Sequence, residues 1–157
     1  MWSWLRRLGQ KTRQDATPLA RVTERVMRNG NPEDRGVSVP LLTLDEFFCG
    51  NSEIGSIGCN LPGEPTPGDF HTLLARILEK DEVSDIRMQI TCLDDPGVMW
   101  PFSDTVWIMT SATEAEVASW FPDELAPDDC WEGWQQSVKY EPVSIQTGHH
   151  PIACWYD

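Results

Sequence analysis

Apolar positions along the chain follow two periods. Phe70, Leu73, Leu74, Ile77 and Leu78 recur at spacings of three and four, which gathers them on one helical face and predicts a helix over 67–80. Leu19, Val22 and Val26, with Met27 beside them, repeat the pattern from Thr17. Thr17 can cap that helix, Pro18 suits its first position, and Gly30 followed by Asn31-Pro32 ends it. Two shorter helices are signalled by their starts. Thr43-Leu44-Asp45-Glu46 has the Ser/Thr-x-x-Glu form of a capping box and opens a helix over 44–49. Thr113-Glu114-Ala115-Glu116 has the same form; Val117, Trp120 and Phe121 pack in the helix it opens, and Pro122 limits it.

The second period is two. Val83, then Ile86, Met88 and Ile90 point inward while Arg87, Gln89 and Thr91 point outward, a half-exposed strand over 83–93. Asp94-Asp95-Pro96-Gly97 is a turn, and 104–110 is the next strand, so the two pair as a hairpin with a wide loop. Residues 37–42 read as an extended apolar entry; 143–145 and 152–156 are short strand candidates. The acidic, aromatic stretch 123–134 reads as an ordered loop. Helices and strands in this order predict an α+β fold: a small, mainly antiparallel sheet with helices packed on one face. With 157 residues, the chain fits a single domain over 16–157, preceded by a basic arm over 1–15. The arm reads as a frayed terminus or as a short docking helix, with Trp2, Leu5 and Leu8 opposite Arg6, Arg7 and Lys11.

Between the second and third helices lies a loop with Gly50, Asn51, Gly55, Gly58 and Asn60, residue types that reach positive φ at low cost. It lacks the Gly-Lys-Ser/Thr ending of a phosphate loop, and Asp45 and Glu46 just upstream oppose an anion. It therefore reads as an architectural corner, with Cys59 as a small buried apolar residue in preference to a nucleophile.

Charge moves the functional reading elsewhere. The formal net charge is −13, and the pI is near 4.5. Residues 1–35 hold eight Lys/Arg against four Asp/Glu, whereas 36–157 hold four against twenty-one. Such a body repels nucleic acid and anionic membrane and attracts a basic protein partner. Five widely spaced cysteines form no zinc-type pattern, and no apolar run approaches a membrane span, so reduced thiols in the cytoplasm are expected, with no cofactor and no metal. His149 and His150 are neighbours and point to opposite faces of a strand; His71 reads as a boundary residue. A Cys154–His150 dyad has no positive support.

The acids mixed with aromatics remain. Asp94, Asp95, Trp100, Asp104, Asp128, Asp129, Trp131 and Trp134 are the residue types that anchor a basic partner, aromatic at the centre and acidic at the rim. Two other classes stay open: a small enzyme with its site at loop 50–60, and a structural or regulatory module tethered by the basic arm.

The segments GNPEDRGVSVPLLTLDEFFCGNSEIGSIGCNL, WPFSDTVWIMTSA and the terminal CWYD resemble an uncharacterised family of small acidic bacterial proteins. That family is similar in style to cytoplasmic immunity proteins that neutralise polymorphic toxins. The resemblance implies a non-enzymatic inhibitor covering a basic toxin surface, such as that of a nuclease.

Overall fold

The structure, a computed structural model, describes residues 16–157; the basic arm lies outside the described residues. The elements run α1 (Pro18–Val26), β1 (Leu41–Leu42), α2 (Leu44–Phe48), α3 (Pro67–Leu78), β2 (Val83–Gln89), β3 (Thr105–Thr110), α4 (Glu114–Ser119), a 3₁₀ turn (Asp123–Leu125), β4 (Asp129–Glu132) and β5 (His150–Trp155). The five strands lie in the order β1-β2-β3-β5-β4, and every neighbouring pair is antiparallel. This is the α+β architecture that the two periods predict.

Helix starts are where the sequence patterns predict them. Thr17 Oγ1 accepts from the Ala20 amide at 3.1 Å. Thr43 and Glu46 complete a reciprocal box that opens α2, and Thr66 with Asp69 completes another at α3. At α4 only half the box forms: Thr113 Oγ1 accepts from the Glu116 amide. The nearby Glu114 carboxylate instead accepts the Glu132 amide at 2.9 Å, tying α4 to β4. Helix α1 stops at Val26, short of Gly30, which turns the chain at φ 105°.

All four helices pack on one sheet face. Val22, Val26, Phe47, Phe48, Phe70, Leu74, Ile77 and Val117 meet Ile86, Met88, Val106, Ile108, Ile152 and Cys154 there. The phase break in the sequence between Val83 and Ile86 is a register shift, placed between Val83 and Asp85.

The opposite face holds the main surprise. Every residue of β3 is buried, so the sheet is covered on both sides. Leu41, Trp107, Met109 and Ala153 pack under Trp131, Trp134, Tyr140, Val143 and Ile145. The stretch expected as a strand at 143–145 is irregular; it supplies this cover as side chains, not as a ladder. The expected loop 123–134 likewise contains the 3₁₀ turn and the edge strand β4. Strand β4 shows no clean alternation, because both of its faces meet apolar atoms, Cys130 on the helix side and Trp131 under the cover.

The cover is fastened at its far end. Val39 and Tyr140 form a parallel bridge, and Arg25 bonds Glu46 and Glu141, both at 3.1 Å. Among the described residues no helix is long and apolar enough to cross a membrane.

Candidate functional site

Register builds the site. Because side chains alternate, residues opposite one another across several strands form a row on one face. One row runs Gln89, Thr105, Trp155, Asp129 across β2, β3, β5 and β4. The next runs Arg87, Trp107, Ala153, Trp131. Both lie on the face away from the helices. Where the coil cover leaves them, they line a cleft of about 420 Å³ with Gln89, Asp104, Thr105, Trp107, Asp129, Trp131, Gln135 and Trp155 in its wall.

Its floor is rigid. Trp107 is 0% exposed, and its Nε1 donates to Gln89 Oε1 at 2.9 Å. Trp131 stands edge-on to it, with ring centroids 6.4 Å apart and planes at 88°. Trp134 lies behind at 4.4 Å and Tyr140 at 5.6 Å. Three aromatic rings packed around Trp107 hold it in place, which lowers the ordering cost of binding a ligand there.

Its electrostatics are one-sided. Asp104 Oδ1 accepts from Thr105 Oγ1 at 2.8 Å and also from Thr91 Oγ1. Asp129 Oδ1 accepts from the Cys130 amide at 2.8 Å. Among the described residues, no side chain or amide donates to the second oxygen of either carboxylate. Neither acid belongs to a salt bridge among the described residues, where Arg25 and Arg87 are held by other acids. The cleft thus offers negative charge beside aromatic faces, the combination that attracts an ammonium or guanidinium group.

The structure brings some of the sequence-derived candidates together and separates others. Asp104, Asp129 and Trp131 line the cleft, and Trp134 packs behind it. Asp128 is next to it but is used at the C-terminus, where its Oδ2 accepts the Asp157 amide at 2.8 Å. Asp94 and Asp95 are exposed on the β2–β3 connection. Trp100 lies apart from this cleft: it is 7% exposed, packs against the core and lines the smaller cleft beside the glycine-rich loop. Gln89, Thr105, Trp107, Gln135 and Trp155 are the lining residues that sequence reasoning missed. Gln89, Thr105, Trp107 and Trp155 lie on strands that the sequence pattern identifies, but only the pairing register places them side by side; Gln135 lies in a stretch that carries no local pattern.

The glycine-rich loop is built into the body. Gly50, Gly55 and Gly58 all take positive φ, at 76°, 90° and 63°. Asn51 Oδ1 accepts the Glu53 amide at 3.0 Å, and its Nδ2 donates to Ser56 Oγ at 3.0 Å. Asn60 Nδ2 donates to the Asp157 carbonyl at 2.8 Å. The loop flanks a smaller cleft of about 190 Å³, with Glu53, Ser56, Cys92, Asp94 and Trp100 among its walls. Cys59 does not line it, and the expectation that it is buried is corrected: the loop turns its side chain outward and it is exposed. The thiol of this cleft is Cys92, and hydrogen bonding to Asp94 at 2.7 Å, then burial, pushes that thiol up to about 12. A sulfur held protonated this way is a poor nucleophile at neutral pH. Glu33, Cys92 and Asp94 place one potential ligand atom each within 4.8 Å of one another, at the surface.

The histidines have separate duties. His71 stacks on Phe48 at 5.1 Å. His149 Nδ1 meets Ser84 Oγ, and His150 Nε2 meets the Ala112 carbonyl, each at 2.8 Å. His150 and Cys154 lie four residues apart on one strand, roughly 13 Å at the strand rise, so they form no dyad.

The family model described as Uncharacterized protein YfbO family matches residues 17–154. Uncharacterized protein YfbO of Escherichia coli (strain K12) is 42% identical over 141 residues, which cover 90% of this chain and 99% of that protein. No solved structure matches the chain. The match agrees with the sequence resemblance at the level of an uncharacterised bacterial family and attaches no activity to it. The chain belongs to the Uncharacterized protein YfbO family.

Proposed function

We propose that this protein is a non-enzymatic binding protein whose acidic, tryptophan-walled cleft receives a cationic side chain of a basic protein partner. The observation that carries this reading is the pair Asp104 and Asp129. Both line the same cleft, beside three tryptophans, and neither is neutralised by a lysine or arginine among the described residues. An unoccupied negative site of this kind costs folding energy through charge repulsion, and a cationic partner reverses that penalty. At about 420 Å³ the cleft falls within the size range of small-ligand pockets, about 300–1,000 Å³, so it suits one or two long side chains. The finer form of the proposal is an immunity-type inhibitor: the cleft and the acids around it cover the basic surface of a toxin, a nuclease being the first candidate.

The test is calorimetric titration with a short oligo-arginine peptide and with its citrulline counterpart, which has the same shape without the charge. The arginine peptide binds and the citrulline peptide does not. D104N/D129N and W131A each weaken binding by about tenfold or more, the scale of one well-placed charged contact. Equal affinity in wild type and D104N/D129N rejects the site. For the finer form, the toxin domain encoded beside the gene is co-expressed with the chain. Growth is restored by wild type and not by D104K/D129K; the lack of any such toxin gene removes the immunity reading while leaving the cleft to be judged by the peptide.

A further inference from the structure

We infer that Cys130 and Cys154 form a cross-strand dithiol that an oxidant of the peroxide class closes to a disulfide. This site is independent of the ligand assigned to the cleft. The two residues are directly opposite in the β4–β5 ladder, with their sulfurs 3.9 Å apart. The ladder also fixes which kind of pair they make. The Gly133 amide donates to the Pro151 carbonyl at 2.9 Å, so 133/151 is a hydrogen-bonded position of the ladder, closed by one bond because Pro151 has no N–H to return. Opposed pairs alternate in type along an antiparallel ladder, which makes 131/153 hydrogen-bonded and 130/154 not. The non-hydrogen-bonded type brings Cα atoms to about 4.5 Å, inside the range of about 4.4–6.8 Å that disulfides span. Bond formation asks the sulfurs to close from 3.9 Å to about 2.05 Å. A χ1 rotation on β4, an edge strand of four residues, supplies that movement.

The two thiols divide the work. Cys130 is half-buried at the sheet edge, and Cys154 is fully buried behind it. The hydrogen bond between the sulfurs holds the Cys130 thiol below its ordinary range. The same bond, with burial, pushes the Cys154 thiol up. Cys130 is therefore the attacking sulfur and Cys154 the resolving one. In the first step the Cys130 thiolate attacks one oxygen of hydrogen peroxide. An S–O bond forms, the O–O bond breaks, and the leaving hydroxide takes up the thiol's proton as water, leaving a sulfenic acid. In the second, the Cys154 sulfur attacks the Cys130 sulfur. The S–S bond forms, the S–O bond breaks, and the hydroxide leaves with the Cys154 proton as a second water. Two thiols lose two electrons to one peroxide.

The other three cysteines are placed differently. Cys49 and Cys59 are exposed; Cys92 is hydrogen-bonded to Asp94 and Glu33. Among the described residues no other two cysteine sulfurs are in hydrogen-bonding contact. Closure ties β4, which presents Asp129 and Trp131 on its other face, covalently to β5.

The experiment treats the folded full chain with one equivalent of hydrogen peroxide, quenches in acid, alkylates under unfolding conditions and maps a non-reduced digest by mass spectrometry. The expected product is a peptide joining Cys130 to Cys154, short of two hydrogens and at least tenfold more abundant than any other cysteine pair. C49S/C59S, which leaves the pair intact, gives the same product. In C154S the sulfenic acid accumulates on Cys130 and is captured by dimedone. Recovery of Cys130 and Cys154 fully alkylated, with oxidation confined to Cys49, Cys59 or Cys92, overturns the inference on the wild-type protein alone.

Discussion

Gly50 and Gly58 are placed where a side chain has nowhere to go. A Cβ at Gly50 would lie 2.3 Å from Pro18 Cβ, and one at Gly58 would lie 2.7 Å from the Phe70 ring and 2.9 Å from Leu61. Both also hold positive φ, at 76° and 63°, where an L-residue is strained. Gly50 lets the end of α2 meet the start of α1, and Gly58 lets the loop lie flat on α3. Gly55 has the strained φ without the crowding, since its Cβ would meet Cys59 at 3.7 Å. G55A is therefore expected to lose about 1 kcal/mol of stability, from backbone conformation alone. G50A and G58A should each lose about 2–4 kcal/mol, because overpacking adds to the same term. Urea denaturation of the three variants checks the order. Equal losses at all three would mean that the loop is free to move away, and that its contacts do not fix the corner.

At the level of elements, Arg25 joins four pieces of chain. From α1 it reaches Glu46 of α2, Glu141 of the coil cover and the Leu41 carbonyl of β1. Its side chain and that of Glu141 are 11% and 12% exposed. R25M leaves the Glu141 carboxylate buried without its cation, an arrangement that costs about 3–5 kcal/mol. R25M/E141Q should lose less than R25M, since it removes the orphaned charge and keeps an oxygen for the Leu41 amide, which Glu141 accepts at 3.1 Å. Burial raises the Glu46 carboxyl, but the Thr43 amide and Arg25 outweigh it and hold the group below its ordinary 4.5. A lowered carboxylate stabilises the fold fully above that ordinary value, and its contribution is lost as pH falls through the lower folded value. The acid limb of a stability–pH curve should thus be shallower in R25M; an unchanged limb would dismiss the coupling. This network marks the boundary of what a sequence shows. The caps at Thr17 and Thr43, the apolar stripe of α3 and the β2–β3 hairpin follow from local spacing, and all are present. Arg25 and Glu141 are 116 positions apart, and no local pattern connects them. The cleft shows the same division: Asp104, Asp129 and Trp131 stand out by residue type, whereas Gln89 and Trp155 join them only through strand register. Strand β4 escaped notice because coil covers one of its faces and helix the other.

For the whole molecule, one charge distribution has two opposite consequences. Residues 36–157 carry twenty-one acids and four cations, Arg76, Lys80, Arg87 and Lys139. Two of those four are already engaged: Arg87 bonds Asp85 at 2.8 Å, and Lys80 lies 5.0 Å over the Trp120 ring. The folded chain therefore concentrates uncompensated negative charge, which opposes compaction and attracts cations from a distance. Screening weakens both effects, because the Debye length falls from about 30 Å at 0.01 M salt to about 8 Å at 0.15 M. Over that range the thermal midpoint of unfolding should rise, while affinity for the oligo-arginine peptide should fall, on the order of tenfold and mainly through slower association. The buried Arg25 network is shielded from this change, so R25M should show the same rise in midpoint with salt as wild type. A cleft that bound its ligand through the tryptophan faces alone would give the folding response without the binding response. Measuring both on one protein therefore separates a charge-reading surface from an aromatic slot that happens to sit in an acidic body.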